Sequence, residues 1–147
     1  KFGKLDFKKF HPGGFLSVKL KTVSDLMITG NKIPFVQENI LVKDALKVLT
    51  KKGLGVILVK KNNVTKGILT DGDLKRLNRK FENFQKLKIK DVMKKNPFSV
   101  DKDTLAAQAL SIMNTKKITC LCVHNKKQKN RTIGIIHIHN ILEANIR

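Results

Sequence analysis

The sequence has no Trp and no Tyr, three Pro, two Cys, and only 11 acidic residues against 31 Lys and Arg, a net charge of +20 over 147 residues. Long hydrophobic runs are missing too. Unbroken apolar stretches reach only a few residues, far short of the ~20 that cross a bilayer, so no membrane-spanning helix is expected. Lys1 to Phe10 mixes basic and apolar residues, without the apolar stretch and small-residue cleavage site of a signal peptide. A cytoplasmic location is therefore expected. Cys120 and Cys122 lie two apart in Ile118-Thr119-Cys120-Leu121-Cys122-Val123, which reads as a strand. Side chains at that spacing point the same way and are poorly placed to bridge each other, so both are expected to be buried, reduced thiols. A metal site would need further ligands at matching spacing, and only His124 is near; no metal is assigned.

The charge raises the question of nucleic acid, because a basic surface attracts phosphate backbones of any sequence. The composition argues against it. Of the 31 basic residues 27 are Lys and only Arg76, Arg79, Arg131 and Arg147 are Arg, the residue type that reads bases and phosphates in bidentate fashion. Without Trp or Tyr there is no evident stacking platform for single strands. The Lys pairs are spread along the chain, which fits a solvated surface better than a binding tail.

Self-comparison decides the architecture. Asp25-Leu26-Met27 recurs as Asp91-Val92-Met93. Val42, Ala45, Leu46 and Leu49 recur as Ala106, Ala109, Leu110 and Met113, both sets with the i, i+3, i+4, i+7 spacing of one buried helix face. Gly67-Ile68-Leu69 recurs as Gly134-Ile135-Ile136. Three features in the same order, offset by 64 to 67 residues, indicate a duplication.

In the first copy the pattern predicts a short extended piece at Ile33 to Val36, a helix at Val42 to Lys52 ended by Gly53, strands at Gly55 to Lys60 and Val64 to Thr70 joined as a hairpin, and a helix at Asp73 to Lys80. The second copy predicts a strand near Phe98 to Val100, a helix at Thr104 to Lys116, strands at Thr119 to Asn125 and Thr132 to Ile138, and a helix at Asn140 to Ile146. The fold class is thus α/β (α+β), two β-α-β-β-α repeats packed about a pseudo-twofold axis. Units of about 60 residues bury too little surface to be robust alone, and pairing them creates a cleft on each side where ligands are favoured.

The Asp-x-Met lead, the β-α-β-β-α repeat and Gly67-Ile68-Leu69-Thr70-Asp71-Gly72-Asp73-Leu74 resemble a tandem pair of cystathionine β-synthase (CBS) domains, over about Val23 to Arg147. Together with His11-Pro12-Gly13-Gly14 and Gly134-Ile135-Ile136-His137-Ile138-His139, they resemble the C-terminal part of the D-arabinose 5-phosphate isomerases. The resemblance implies that residues 1–22 end a sugar isomerase (SIS) domain, with repeats at 23–85 and 86–147. It makes His11 the acid/base candidate of an intact parent and leaves this segment without isomerase activity. As partners it implies the missing SIS domain and a homo-oligomer, with modules paired as dimers in a tetrameric parent. Ser17-Val18 depart from the family pattern, where a Gly and a basic residue are usual.

The resemblance also implies a ligand site at Thr70-x-x-Asp73. A helix N-terminus favours anions; Thr70 would face phosphate and Asp73 the hydroxyls of a ribose. The same residues also suit a purely structural cap, with Asp73 at the N-cap position and Asp71-Gly72 a turn. The repeat offset places His137 opposite Thr70 and Asn140 opposite Asp73, so a second cleft would offer His137-x-x-Asn140, with Asn140 an alternative N-cap. His139 would share a strand face with His137, and Lys75 and Arg76 would meet an anionic ligand or solvent. No cofactor is required. The expected small anionic ligand is CMP-Kdo, CMP or an adenine nucleotide; the alternatives are an empty module that only helps oligomerisation, or a basic nucleic-acid-binding domain.

Overall fold

A computed structural model describes residues 20–145 of the chain. Its elements are α1 (Val23–Leu26), β1 (Ile28–Thr29), β2 (Phe35–Gln37), α2 (Val42–Lys52), β3 (Val56–Lys61), β4 (Val64–Thr70), α3 (Asp71–Lys80), α4 (Ile89–Val92), β5 (Lys94–Lys95), β6 (Ser99–Asp101), α5 (Ala106–Lys116), β7 (Cys120–His124), β8 (Gly134–His137) and α6 (Ile138–Glu143).

The apolar faces expected of α2 and α5 are the buried ones. Val42 and Ala45 pack with Val36, Ile57, Val59 and Leu69, whereas Ala106, Ala109, Leu110 and Met113 pack with Val100, Leu121, Val123 and Ile136. Gly53 ends α2 at φ 70, the left-handed conformation glycine adopts without strain, and its N–H donates to the Leu49 carbonyl. At the matching end of α5, Lys117 adopts φ 56 in its place.

Both β3 and β7 are buried on two faces. Ile57 and Val59 face α2, while Val56 and Leu58 join Cys120, Cys122, Ile33 and Ile135 in a third cluster drawn from both repeats. That cluster is the seam, and each fully buried Leu or Ile in it is worth about 1.5–3 kcal/mol. The hydroxyls of Thr65 and Thr132, equivalent positions of the two repeats, hydrogen-bond across it at 2.6 Å.

The sheets run β2-β3-β4-β5 and β1-β8-β7-β6. Each repeat therefore surrenders its lead strand: β1 pairs with β8, and β5 pairs with β4. The recurring sequence motifs explain the exchange. A Cβ on Gly67 would collide with the Met93 sulfur and stand 2.8 Å from the Lys94 carbonyl oxygen; one on Gly134 would collide with the Met27 sulfur and stand 3.1 Å from the Ile28 carbonyl oxygen. Each motif glycine makes room for the other repeat's Asp-x-Met lead.

Some boundaries differ from the sequence reading. The strand expected at Ile33 to Val36 is β2, Phe35–Gln37, since Pro34 carries no N–H and contributes only a carbonyl, to Leu58 N–H. Helix α3 begins at Asp71 and α6 at Ile138, so the N-caps are Thr70 and His137 instead of Asp73 and Asn140. In each case a side chain one turn in bonds back to the cap's backbone N–H, which starts the helix earlier.

Candidate functional site

The β4–α3 junction is built by a reciprocal cap. The Asp73 N–H donates to Thr70 Oγ1 at 3.2 Å, while Asp73 Oδ2 accepts the Thr70 N–H and the Thr70 hydroxyl, each at 2.9 Å. The other carboxylate oxygen, Oδ1, accepts from Arg76 Nη2 at 2.6 Å and Lys94 Nζ at 3.1 Å. Asp73 is only 5% exposed, yet both cations are mainly in solvent. Burial raises the Asp73 pKa, but the bonds from Thr70, Arg76 and Lys94 together outweigh it and hold the carboxyl below 3.8.

The β8–α6 junction repeats the device without charge. His137 Nδ1 accepts the His139 N–H at 3.2 Å, and the His137 N–H donates to Asn140 Oδ1 at 2.9 Å. Because Nδ1 accepts, the proton of the neutral ring lies on Nε2. The His137 and His139 rings stack with centroids 4.8 Å apart. Burial, reinforced by His139, lowers the His137 pKa below 6.5.

These junctions meet in one cleft of about 580 Å³. Thr70, Asp73 and Arg76 line it from the first repeat, His137 and His139 from the second, and Lys94 from the exchanged strand β5. The expected separate cleft for His137-x-x-Asn140 is thus replaced by a shared one. Helix α6 starts at Ile138, so His139 is helical and its relation to His137 is a stack, not a common strand face. Asn140 is used in the cap and does not line the cleft; Lys75 points to solvent, whereas Arg76 lines it. His11 lies outside the described residues.

A smaller cleft of about 220 Å³, reached by Thr65, Ser99, His124 and Thr132, lies toward the opposite strand ends. There Ser99 Oγ contacts His124 Nδ1. Cys120 and Cys122 are free, with burial pushing their thiols up to about 11 and about 12. Among the described residues no group of three or more His, Cys, Asp or Glu is placed to hold a metal ion, and no helix is long and apolar enough to cross a membrane.

The sequence matches the CBS-domain family over residues 23–80 and 89–147. The chain belongs to the CBS-domain family. It is 37% identical over 147 residues to an arabinose 5-phosphate isomerase of Yersinia pestis, covering 99% of this chain and 44% of that protein. An uncharacterised protein of Rickettsia prowazekii is 35% identical, with the same shares of 99% and 44%. The chain thus spans less than half the length of these curated relatives. Among solved structures, CBSX2 in complex with AMP aligns with a TM-score of 0.73 and 25% identity, covering 84% of this chain and 95% of that one. The CBS domain of a bacterial CNNM/CorC family Mg2+ transporter in complex with ATP aligns with a TM-score of 0.70 and 17% identity, over 88% and 89% of the chains.

Of the cleft cations of this CBS pair that sequence reasoning missed, Lys94, Lys95 and Lys117, the one that reaches Asp73 is Lys94. Its signal was present: it follows the second Asp-x-Met lead directly, but only the strand exchange carries it to Asp73 of the first repeat.

Proposed function

We propose that this CBS pair is the regulatory, nucleotide-sensing part of a D-arabinose 5-phosphate isomerase. The observation that carries the reading is a buried carboxylate, Asp73, at the head of a ten-residue helix in a cleft walled by both repeats and edged by Arg76, Lys94, Lys95 and Lys117. Such a cleft attracts anions, and a carboxylate beside a helix N-terminus suits a sugar diol joined to a phosphate. AMP and ATP in the two structural relatives support a nucleotide, and the isomerase relatives support the parentage. Within that class a nucleotide sugar with a second anionic group, CMP-Kdo, is favoured over adenine nucleotides, because His137 and His139 offer a further pair of donors on the opposite wall. The missing partners are the SIS domain and further copies of the chain.

Calorimetry with CMP-Kdo, CMP, AMP and ATP tests this, together with thermal unfolding: a ligand at one hundred times its Kd stabilises by about 2.7 kcal/mol. CMP-Kdo should bind most tightly; binding of adenine nucleotides alone overturns the specificity, and no binding at all overturns the sensing role. A second reading, a module that only aids oligomerisation, is favoured by one observation: Asp73 is fully hydrogen-bonded by the protein itself. It predicts unchanged stability with every nucleotide.

A further inference from the structure

A carboxylate offers about four lone-pair positions. On Asp73 all are taken: the Thr70 N–H and hydroxyl hold Oδ2, and Arg76 and Lys94 hold Oδ1. A diol cannot hydrogen-bond this carboxylate until some of these donors leave. The Thr70 pair belongs to the helix cap, and removing it would unfasten the start of α3. The cations are different, since their side chains are 64% and 66% exposed and reach inward only at their tips. Long, solvated side chains re-aim at little cost, provided their charge finds another partner.

Resting on the nucleotide reading, we infer that Lys94 and Arg76 are the residues that select a phosphorylated ligand over its unphosphorylated nucleoside, by exchanging Asp73 for the phosphate. With a phosphate present, the cations move from Asp73 Oδ1 to the phosphate oxygens, and Oδ1 is released to the sugar hydroxyls. With a nucleoside the hydroxyls must compete with two cations that have nowhere to go. Selection thus works on the empty protein as well as on the complex: the ion pair repels the wrong ligand. Lys94 supplies it from the lead strand of the second repeat, so the strand exchange is part of the site.

The test measures CMP against cytidine and AMP against adenosine by calorimetry, on the full chain and on its Lys94→Met and Arg76→Met/Lys94→Met variants. Both side chains are mostly exposed, and thermal unfolding checks that the variants remain folded. The expected result is a crossing: the nucleotide weakens about tenfold or more, as for loss of a charged hydrogen bond, while the nucleoside tightens. A nucleotide that weakens with the nucleoside unchanged makes the cations ordinary phosphate contacts and overturns the exchange, leaving nucleotide binding intact. If neither class binds the parent chain or either variant, the nucleotide reading falls and the exchange falls with it. If only the variants bind the nucleoside, the exchange stands, with the ion pair as a lock.

Discussion

The Thr70–Asp73 and His137–Asn140 junctions are one backbone device carrying different charge. In both, the residue three places into the helix accepts the N-cap N–H at 2.9 Å, through a carboxylate in the first and a carboxamide in the second. The second is therefore an internal control for the first. Because Asn140 completes its cap with a neutral group, the cap's backbone bond by itself does not require a charge at Asp73. The Asp73 carboxylate and its two cations exceed what that cap geometry requires, and the proposed ligand role rests on them.

The two junctions are equivalent only if the repeats exchange lead strands symmetrically, and the largest expected effects test that. Gly67→Ala and Gly134→Ala each force a methyl into a methionine of the opposite lead, an overpacking that costs about 1–3 kcal/mol. Gly67→Ala should be the worse, since its Cβ would lie 2.8 Å from the Lys94 backbone oxygen, against 3.1 Å from that of Ile28 for Gly134→Ala. Urea denaturation of both variants measures this. A neutral result for either would mean that its lead strand yields, and the two halves would no longer be equivalent.

Much of this fold was legible because periodicity reports burial. Helix α2 at Val42–Lys52 and strand β4 at Val64–Thr70 have the limits the sequence pattern predicts, α2 because an apolar face and the terminal Gly53 mark it locally, β4 because the hairpin turn and the Thr70 junction bound it. The helix starts were displaced because Thr70 with Asp73, and His137 with Asn140, satisfy two propensities, and sequence alone does not say which member is the cap. The two-residue strands β1 and β5 were invisible for another reason. They have almost no pattern of their own and exist only because a glycine on the other repeat admits them. Lys94 and the merging of the candidate residues into one cleft follow from that long-range pairing.

Exchanging the third helical residue between junctions sharpens the contrast. Asp73→Asn keeps the cap and loses the charge, so it should cost about 1 kcal/mol, the scale of hydrogen bonds to a charged group less their solvent screening. Asn140→Asp places a carboxylate in the first turn of α6, a gain of at most about 0.5 kcal/mol. It should also raise the pH at which His137 protonates, read from its imidazole resonances by NMR. If Asp73→Asn is neutral, the ion pair carries no stability and its retention is purely functional; if it costs as much as removing the whole cap with Thr70→Ala/Asp73→Ala, the charge is part of the fold and the contrast fails.

The smallest effect separates the junctions by pH. The Asp73 carboxyl is held below 3.8, so the stability it confers is complete above that value and is lost as pH falls further, toward the folded-state pKa. His137 lies below its ordinary 6.5, so the folded chain binds fewer protons than the unfolded one just under that value. Its contribution is likewise complete above 6.5 and declines as pH drops, which puts the second junction's acid sensitivity near neutrality and the first junction's far below it. His124, lowered mainly by burial, declines in the same direction, so the wild-type slope alone does not isolate His137. His137→Asn does, because Asn is among the best N-caps and should preserve α6. At pH 7.5 the variant should lie within about 1 kcal/mol of wild type, and between pH 7.5 and 5.5 it should lose less stability. Equal losses would show that His137 gains no proton on unfolding, and that the second junction has no acid response distinct from the first.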